Sequence, residues 1–93
     1  MSKNEIKVVN IVASANLLGR IELEDCAYSI EKTMYEPEQF PGLIYRMDDP
    51  KVVILLFASG KLVCTGATKE EDVYSAVAKL HKELEEKDLI YYE

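Results

Sequence analysis

Three short apolar runs separated by turn residues dominate the middle of the chain. The runs are Leu43–Met47, Val52–Phe57 and Lys61–Thr65. Between them stand Asp48-Asp49-Pro50 and Ser59-Gly60, whose residues favour reversal of the chain. Runs of this length and spacing, rich in Val, Ile and Leu, predict an antiparallel meander of three strands. The rest of the chain has to supply cover for this meander.

The predicted strands carry apolar side chains on both faces. Alternation places Val52, Ile54, Leu56, Leu62 and Cys64 on one face, and Val53, Leu55, Phe57, Lys61, Val63 and Thr65 on the other. A sheet backed by helices on one side normally alternates apolar with polar residues, so the second face must meet something. A core covered on both sides, or an obligate dimer interface, is the simpler explanation. The alternative is a binding surface edged by Arg46, Lys51, Ser59 and Lys61.

Segments on either side of the meander complete an α+β pattern. The expected elements are a strand at Glu5–Ser14, a helix at Leu23–Thr33, a short strand at Thr33–Tyr35 and a helix from Thr68 to about Glu86. Thr68 and Glu71 have the spacing of a capping box at the start of the last helix. The order is therefore β-α-β-β-β-β-α, a five-stranded antiparallel sheet with both helices on the Val52 side.

Length and composition indicate one folded domain, residues 1–93, without a catalytic or metal site. No apolar run is long enough to span a membrane, and the first residues lack the apolar core of a signal peptide. The only two cysteines, Cys26 and Cys64, are expected to be reduced thiols, and Cys64 to lie in the core. His81 is the single histidine and reads as a packing or boundary residue. We expect no cofactor, no metal and no enzymatic activity.

The net charge of −6 argues against a simple basic nucleic-acid binder, but the charges are unevenly distributed. No acidic residue occurs from Pro50 to Thr68, whereas Lys69–Glu93 holds eight acids and four lysines. If the meander and the last helix lie on opposite sides, the molecule has a neutral to basic face and an acidic back. A simple scatter of charges over a soluble surface is the alternative.

The segment Tyr35–Ala67 reads YEPEQFPGLIYRMDDPKVVILLFASGKLVCTGA and resembles the TATA-binding protein family of archaeal type. The resemblance extends upstream through VNIVASANL at Val9–Leu17 and, more loosely, downstream through Lys69–Leu84. The family core holds two such repeats in tandem, and this chain holds one, whose sequence resembles the C-terminal repeat more than the first. The resemblance implies a curved half-saddle with both helices on the convex face of the sheet.

By this resemblance the chain is a general transcription initiation factor that binds and bends the minor groove of TATA-box DNA. The implied DNA-binding residues are Asn10, Val12, Phe40, Arg46, Lys51, Leu55, Phe57, Ser59, Lys61, Val63 and Thr65. Phe40 and Phe57 match the family's wedge phenylalanines, whereas without the resemblance each would be assigned to the core. Asn10 matches an asparagine that donates to minor-groove acceptors; a structural hydrogen bond within the sheet is the simpler account of this amide.

The loop before the meander is the implied protein contact. Glu36, Glu38 and Gln39 match the stirrup through which the family's C-terminal repeat meets transcription factor B. A single repeat suggests a homodimer joined through its first strands, located on DNA in the archaeal cytoplasm. One alternative is a module that binds transcription factor B without DNA. Another is a purely structural dimer, for which Phe40 and Phe57 should be deeply buried.

Overall fold

The structure, a computed structural model, describes residues 10–92. Its elements are β1 (Ile11–Asn16), β2 (Arg20–Ile21), α1 (Leu23–Ser29), β3 (Thr33–Tyr35), β4 (Leu43–Asp48), β5 (Lys51–Leu56), β6 (Lys61–Ala67), α2 (Glu70–Glu86) and β7 (Ile90–Tyr91). The predicted meander corresponds to β4, β5 and β6, with ends that differ from the prediction by no more than two residues.

Five of the strands form one antiparallel sheet in the order β1-β6-β5-β4-β3. Strands β3 to β6 follow one another as a meander, and β1 crosses back to pair with β6 at the far edge. The sheet is curved and open, and the two helices cover its convex side. The predicted α+β half-saddle is therefore confirmed.

One hydrophobic core lies between the sheet and the two helices. From the sheet it takes the set predicted to face the helices, including Cys64, and the helices supply their buried stripes; its largest fully buried side chains are Leu43, Ile54, Leu56, Leu62, Leu80, Leu84, Cys26 and Cys64. All the buried residues of the described chain are apolar or glycine. The helix layer therefore satisfies one face of the sheet and leaves the other bare.

Several predicted boundaries were wrong for local reasons. The first strand runs on to Asn16 rather than ending at Ser14, and the predicted start at Glu5 lies outside the described residues. Helix α1 stops at Ser29, because Ile30 is extended and Lys32 takes a left-handed conformation with φ of 63°. Thr33, predicted both as the last helical residue and as the first residue of a short strand, begins β3 as the second prediction had it, and its hydroxyl donates to the Ile30 carbonyl at 2.8 Å.

The predicted capping box does not form. Helix α2 begins at Glu70 with Lys69 as its N-cap, and no side chain caps it by a hydrogen bond. Three acids in the first turn, Glu70, Glu71 and Asp72, still suit the positive end of the helix dipole. The helix ends at Glu86, as predicted from its apolar stripe.

A second, two-stranded sheet was not predicted. Arg20 pairs with Tyr91 and Ile21 with Ile90, which ties the segment after α2 to the segment before α1. Gly19 lies against this pair, since a Cβ there would meet the Ile90 side chain at 2.6 Å. The two strands have only two residues each, too few for a periodic pattern in the sequence.

Candidate nucleic-acid interface

The face of the sheet turned away from the helices, called here the concave face, is uncovered and apolar along its centre. Its apolar members are Val12, Met34, Ile44, Val53, Leu55 and Val63, and its polar or charged members are Ser14, Asn16, Arg46, Asp48, Lys51, Lys61 and Thr65. The register aligns Ser14, Val63, Leu55, Ile44 and Met34 in one row across all five strands. The centre of the row is half-buried by neighbouring side chains, and its ends are exposed.

Two phenylalanines stand together at one end of this face. Phe40 comes from the loop between β3 and β4, and Phe57 directly follows β5. Their ring centroids are 5.8 Å apart at an interplanar angle of 61°, an edge-to-face pair. Both residues are half-buried in the single chain, so each keeps part of its surface accessible.

A glycine makes room for this aromatic pair. A Cβ on Gly42 would lie 2.8 Å from Cε2 of Phe40, 3.0 Å from Cε1 of Phe57 and 3.1 Å from the Leu56 carbonyl oxygen. Such approaches are shorter than van der Waals contact, so any side chain at position 42 would displace the rings. Sequence reasoning did not single out this residue, and the Pro-Gly pair that contains it reads only as a turn signal.

The hairpin that carries Phe57 is locked against the end of β1. The Gly60 amide donates to the Phe57 carbonyl and the Phe57 amide to the Lys61 carbonyl, both at 2.9 Å, with Gly60 at φ of 92°. This is a three-residue loop with glycine at the left-handed position. The Leu17 amide donates to the Gly60 carbonyl at 2.9 Å, and a Cβ on Gly60 would overlap the Gly19 carbonyl oxygen. Two backbones therefore meet here without intervening side chains.

Asn10 stands at the other end of β1, where β6 contains a bulge. Between the Ile11–Ala67 and Ala13–Cys64 pairs, β6 carries one extra residue, and Gly66 takes a φ of 94°. The Gly66 amide donates to Oδ1 of Asn10 at 2.7 Å. The simpler account of Asn10, a hydrogen bond within the sheet, is thus confirmed for its oxygen. Its NH₂ group remains available as a donor on this exposed residue.

Cationic side chains edge the concave face, as the sequence suggested. Arg46, Lys51 and Lys61 are all exposed, and so is Ser59, whose Oγ accepts the Lys61 amide at 3.4 Å. Among the strand residues on this face the one acid is Asp48, which forms an ion pair with Lys32. The helices carry acids at both the start and the end of α2. In the described chain, cationic side chains therefore border the concave face, and acidic side chains lie at both ends of α2 on the opposite side of the sheet.

The predicted partner-binding residues lie together on one turn beside Phe40. Glu36, Glu38 and Gln39 are exposed, and the Glu36 carbonyl accepts the amides of Gln39 and Phe40, both at 2.9 Å. The loop that presents the carboxylates therefore also positions the aromatic ring. A protein contact at this turn and a contact made by the Phe40 ring would therefore involve the same few residues.

The structure brings the predicted surface residues onto one face and adds several that were missed. Leu55, Val63 and Thr65 lie side by side through the β5–β6 register, and Val12 on the edge strand is 62% exposed. The residues missed were Ser14, Asn16, Met34 and Ile44, whereas Val53 had been assigned to this face but not to the DNA-binding residues. Strand alternation could have identified Ser14, Asn16 and Ile44, because each lies two positions along its strand from another member of the face, whereas Met34 is located only by its register with Ile44.

Groups that could support other chemistry lie elsewhere. His81 Nε2 and the Tyr92 hydroxyl are 2.5 Å apart, and that hydroxyl donates to Glu85 at 2.8 Å. Burial, followed by the nearby carboxylates of Asp25, Glu22 and Glu83, raises the pKa of Cys26 to about 11, so this thiol stays protonated. Within residues 10–92 no group of His, Cys, Asp and Glu side chains could hold a metal ion. Neither helix described has the length and apolar character needed to cross a bilayer.

Comparison with known proteins identifies close relatives. A family model described as transcription factor TFIID (or TATA-binding protein, TBP) matches residues 5–87. The TATA-box-binding protein of Pyrobaculum calidifontis is 56% identical over 89 residues, 96% of this chain and 45% of that protein. The corresponding protein of Methanothermobacter thermautotrophicus is 62% identical over 86 residues, 92% of this chain and 48% of that protein.

A solved structure agrees with these matches. The structure described as Methanococcus jannaschii TBP superposes with a TM-score of 0.83 at 54% identity, covering 88% of this chain and 48% of that chain. The chain thus spans about half the length of the relatives it matches. This share corresponds to one repeat of a two-repeat core.

Proposed function

The chain belongs to the TATA-binding protein family, and on that premise we propose that it binds and bends A/T-rich promoter DNA in transcription initiation. The observation that carries the proposal is the uncovered apolar concave face, with the Phe40–Phe57 pair at its end. A family of transcription factors also agrees with the expectation that the chain is not an enzyme. The share of about half its relatives' length makes the mode of action of one repeat a proposal in itself.

The concave face has the chemistry that suits the minor groove of A·T pairs. That groove presents acceptors on adenine and thymine and lacks the amino group that guanine adds. Val12, Leu55 and Val63 offer apolar contact to its floor, and Thr65 adds a hydroxyl. Asn10 would donate to base acceptors, because its oxygen is already occupied by the Gly66 amide.

The aromatic pair would produce the bend. Apolar wedges that enter a base step partly unstack it and kink the duplex, which is the known mode of this family. Phe40 and Phe57 already contact each other and are half-exposed, so they can enter a step as one unit. Arg46, Lys51, Ser59 and Lys61 would take phosphates at the edge, which fixes position without reading sequence.

A single repeat would complete the saddle by pairing with a second copy through β1. This strand is the edge of the sheet. Because the Leu17 amide points toward β6, alternation directs the Ser14 and Asn16 amides to the open edge. Two copies joined antiparallel there would form a ten-stranded saddle with exact two-fold symmetry.

The acidic turn at Glu36, Glu38 and Gln39 would recruit transcription factor B. The Glu36 and Glu38 carboxylates are exposed on the loop between β3 and β4, outside the strands of the concave face, so a partner can contact them while that face holds DNA. Such a role places the protein with the genome, in the archaeal cytoplasm. The second candidate, a module that binds this partner without DNA, relies on the same exposed turn.

A fluorescence titration tests the proposal directly. A duplex with a TATA sequence, labelled at both ends, is titrated with the chain, and a G·C-rich duplex is the control. We expect increased end-to-end energy transfer with the TATA duplex alone, saturating at two chains per site. A folded sample that binds neither duplex would contradict DNA binding and leave the protein-interaction module.

The oligomeric state is tested separately by size-exclusion chromatography with light scattering. The wild-type chain is expected to be a dimer, and Ser14→Pro a monomer, because proline removes an edge donor without breaking a bond to β6. A wild-type chain that remains monomeric both free and on DNA would contradict pairing through β1.

A further inference from the structure

Asn16, the last residue of β1, has its side-chain oxygen hydrogen-bonded to a backbone amide, as Asn10 has just before the strand begins. Asn16 lies at the opposite end of the strand on the concave face and is exposed. Its Oδ1 accepts the Leu18 amide at 2.9 Å, just as Oδ1 of Asn10 accepts the Gly66 amide at 2.7 Å. In both residues a backbone N–H fixes the oxygen, so the NH₂ group is the end left to meet a ligand.

Asn16 lies beside Phe57, one member of the aromatic pair. It aligns in register with Lys61 and lines an open apolar groove of about 660 Å³ together with Phe57, Ser59 and Val63. The groove lies on the same face as Val12 and Ser14, so Asn16 belongs to its floor. Of Asn16 and Lys61, Lys61 has the longer side chain and is exposed, so it is the one that can extend away from the groove into solvent.

We propose that Asn16 is a DNA-contacting residue whose NH₂ group donates to a minor-groove base acceptor next to the step that Phe57 enters. The inference rests on the proposed function and adds a residue to it. Adenine N3 and thymine O2 are the acceptors available on A·T pairs, and an amide NH₂ group complements both. The hydrogen bond from the Leu18 amide prevents the alternative orientation, in which oxygen would face these acceptors.

This orientation exists before DNA arrives, so the donor needs little reorganisation on binding. The Asn16 oxygen closes a local turn with Leu18, which has a φ of 61° and is 77% exposed. This turn is held in place by the hydrogen bond from the Leu17 amide to the Gly60 carbonyl. Preorganised groups of this kind lose less entropy when they form a contact.

Two substitutions separate the DNA contact from the structural turn. Asn16→Ser and Asn16→Asp both keep an oxygen for the Leu18 amide, but both remove the NH₂ donors. For Asn16→Ser we expect about 10- to 100-fold weaker binding to the TATA duplex, because a site that takes two chains loses one hydrogen bond from each copy. Asn16→Asp should bind more weakly still, because its carboxylate faces acceptors. Ser75→Asp, which adds the same charge on exposed α2, is the matched control.

A chemical cycle on the DNA identifies the atom that accepts. The duplex is made with 3-deazaadenine, which lacks N3, at pairs of symmetry-related positions, one beside the kinked step of each half-site. If Asn16 of each copy donates to that atom, Asn16→Ser should have no further effect on the duplex modified at one such pair. Coupling to a neutral methylphosphonate instead would overturn the base assignment in favour of phosphate.

The outcomes distinguish this inference from the proposed function. Wild-type binding to the TATA duplex with unchanged affinity for Asn16→Ser overturns the role of Asn16 alone. Failure of the wild-type chain to bind overturns both proposals together. Urea unfolding of each variant shows whether the turn has been kept, and comparable midpoints are expected.

Discussion

Phe40 and Phe57 contact each other edge to face across two different turns, with ring centroids 5.8 Å apart. The first ring is held by the turn at Glu36 and the second by the hairpin closed through Gly60. Neither turn depends on a ligand, so the pair is assembled in the free chain. A wedge that is already formed can enter a base step without first paying the entropy of bringing its halves together.

Removing both rings should abolish bending. For Phe40→Ala with Phe57→Ala we expect TATA affinity to fall by about 30-fold or more, as for truncation of a central aromatic anchor. Energy transfer between labelled duplex ends should stay at its value for free DNA. Tyr74→Ala removes an exposed aromatic ring from α2 and serves as the control. Bending by the double variant comparable to wild type would show that other residues form the wedge.

Gly42→Ala should displace the rings of the Phe40–Phe57 pair. The new methyl group would lie 2.8 Å from Phe40 and 3.0 Å from Phe57, and such overpacking costs about 1–3 kcal/mol of unfolding free energy. DNA bending should weaken as well. In a Phe40→Ala background the cost should be smaller, because one of the crowded rings is gone. Equal costs in both backgrounds, measured by urea unfolding, would place the strain at Phe57 or the Leu56 carbonyl instead of Phe40.

The cationic edge predicts a measurable salt dependence. Lys61→Gln should lower the slope of log K against log salt by about 2, because a site that takes two chains loses one phosphate contact from each copy. Preference for TATA over G·C-rich DNA should change little, because phosphate contacts carry no base information. Lys82→Gln on exposed α2 is the control and should leave the slope unchanged. An unchanged slope for Lys61→Gln would remove this lysine from the interface.

Charge reversal at the acidic turn should separate the two proposed contacts. Glu36→Lys with Glu38→Lys is expected to reduce binding of transcription factor B by about tenfold or more while retaining binding to the TATA duplex. Loss of complementary charge across an interface is the physical reason. Glu86→Lys at the end of α2 controls for added positive charge. Partner affinity equal to wild type in a pull-down and in calorimetry would locate the partner elsewhere.

The buried thiol of Cys26 predicts a loss of stability at alkaline pH. Its folded pKa of about 11 exceeds the ordinary value of 9.0, so above pH 9 the unfolded chain loses this proton first. The contribution is complete below about pH 9 and is lost as pH rises through about 11. Cys26→Ala should show a shallower fall of unfolding free energy over that window. Parallel curves for wild type and variant would contradict the shifted pKa.

The sheet could be predicted because its signals are local and periodic. Alternation along Val52–Phe57 and turn residues on both sides determine strand, register and buried face together. The helix stripe of α2 similarly predicted its end at Glu86. These features depend on residues close in sequence, so tertiary contacts had little scope to override them.

What the sequence could not supply depends on partners distant in the chain. The β2–β7 pair requires Ile21 to contact Ile90. The hydrogen bond from the Gly66 amide to Asn10 depends on a β-bulge, and no pattern in the sequence predicts that bulge. The capping box failed because Thr68 lies outside the helix once Lys69 adopts an extended conformation. The candidate site shows the same contrast between local and distant signals. Strand alternation predicts which residues form the concave face, whereas the crowding at Gly42 depends on where two loops meet.

The open edge of β1 has one further consequence, for the direction of transcription. A saddle made of two identical chains would treat an A/T-rich site alike in either orientation, since each half presents the same residues to each strand. The asymmetry that two unequal repeats could build into one polypeptide would be absent. Upstream and downstream would then have to be told apart by a partner seated on only one of the two acidic turns, aided by the DNA that flanks the site.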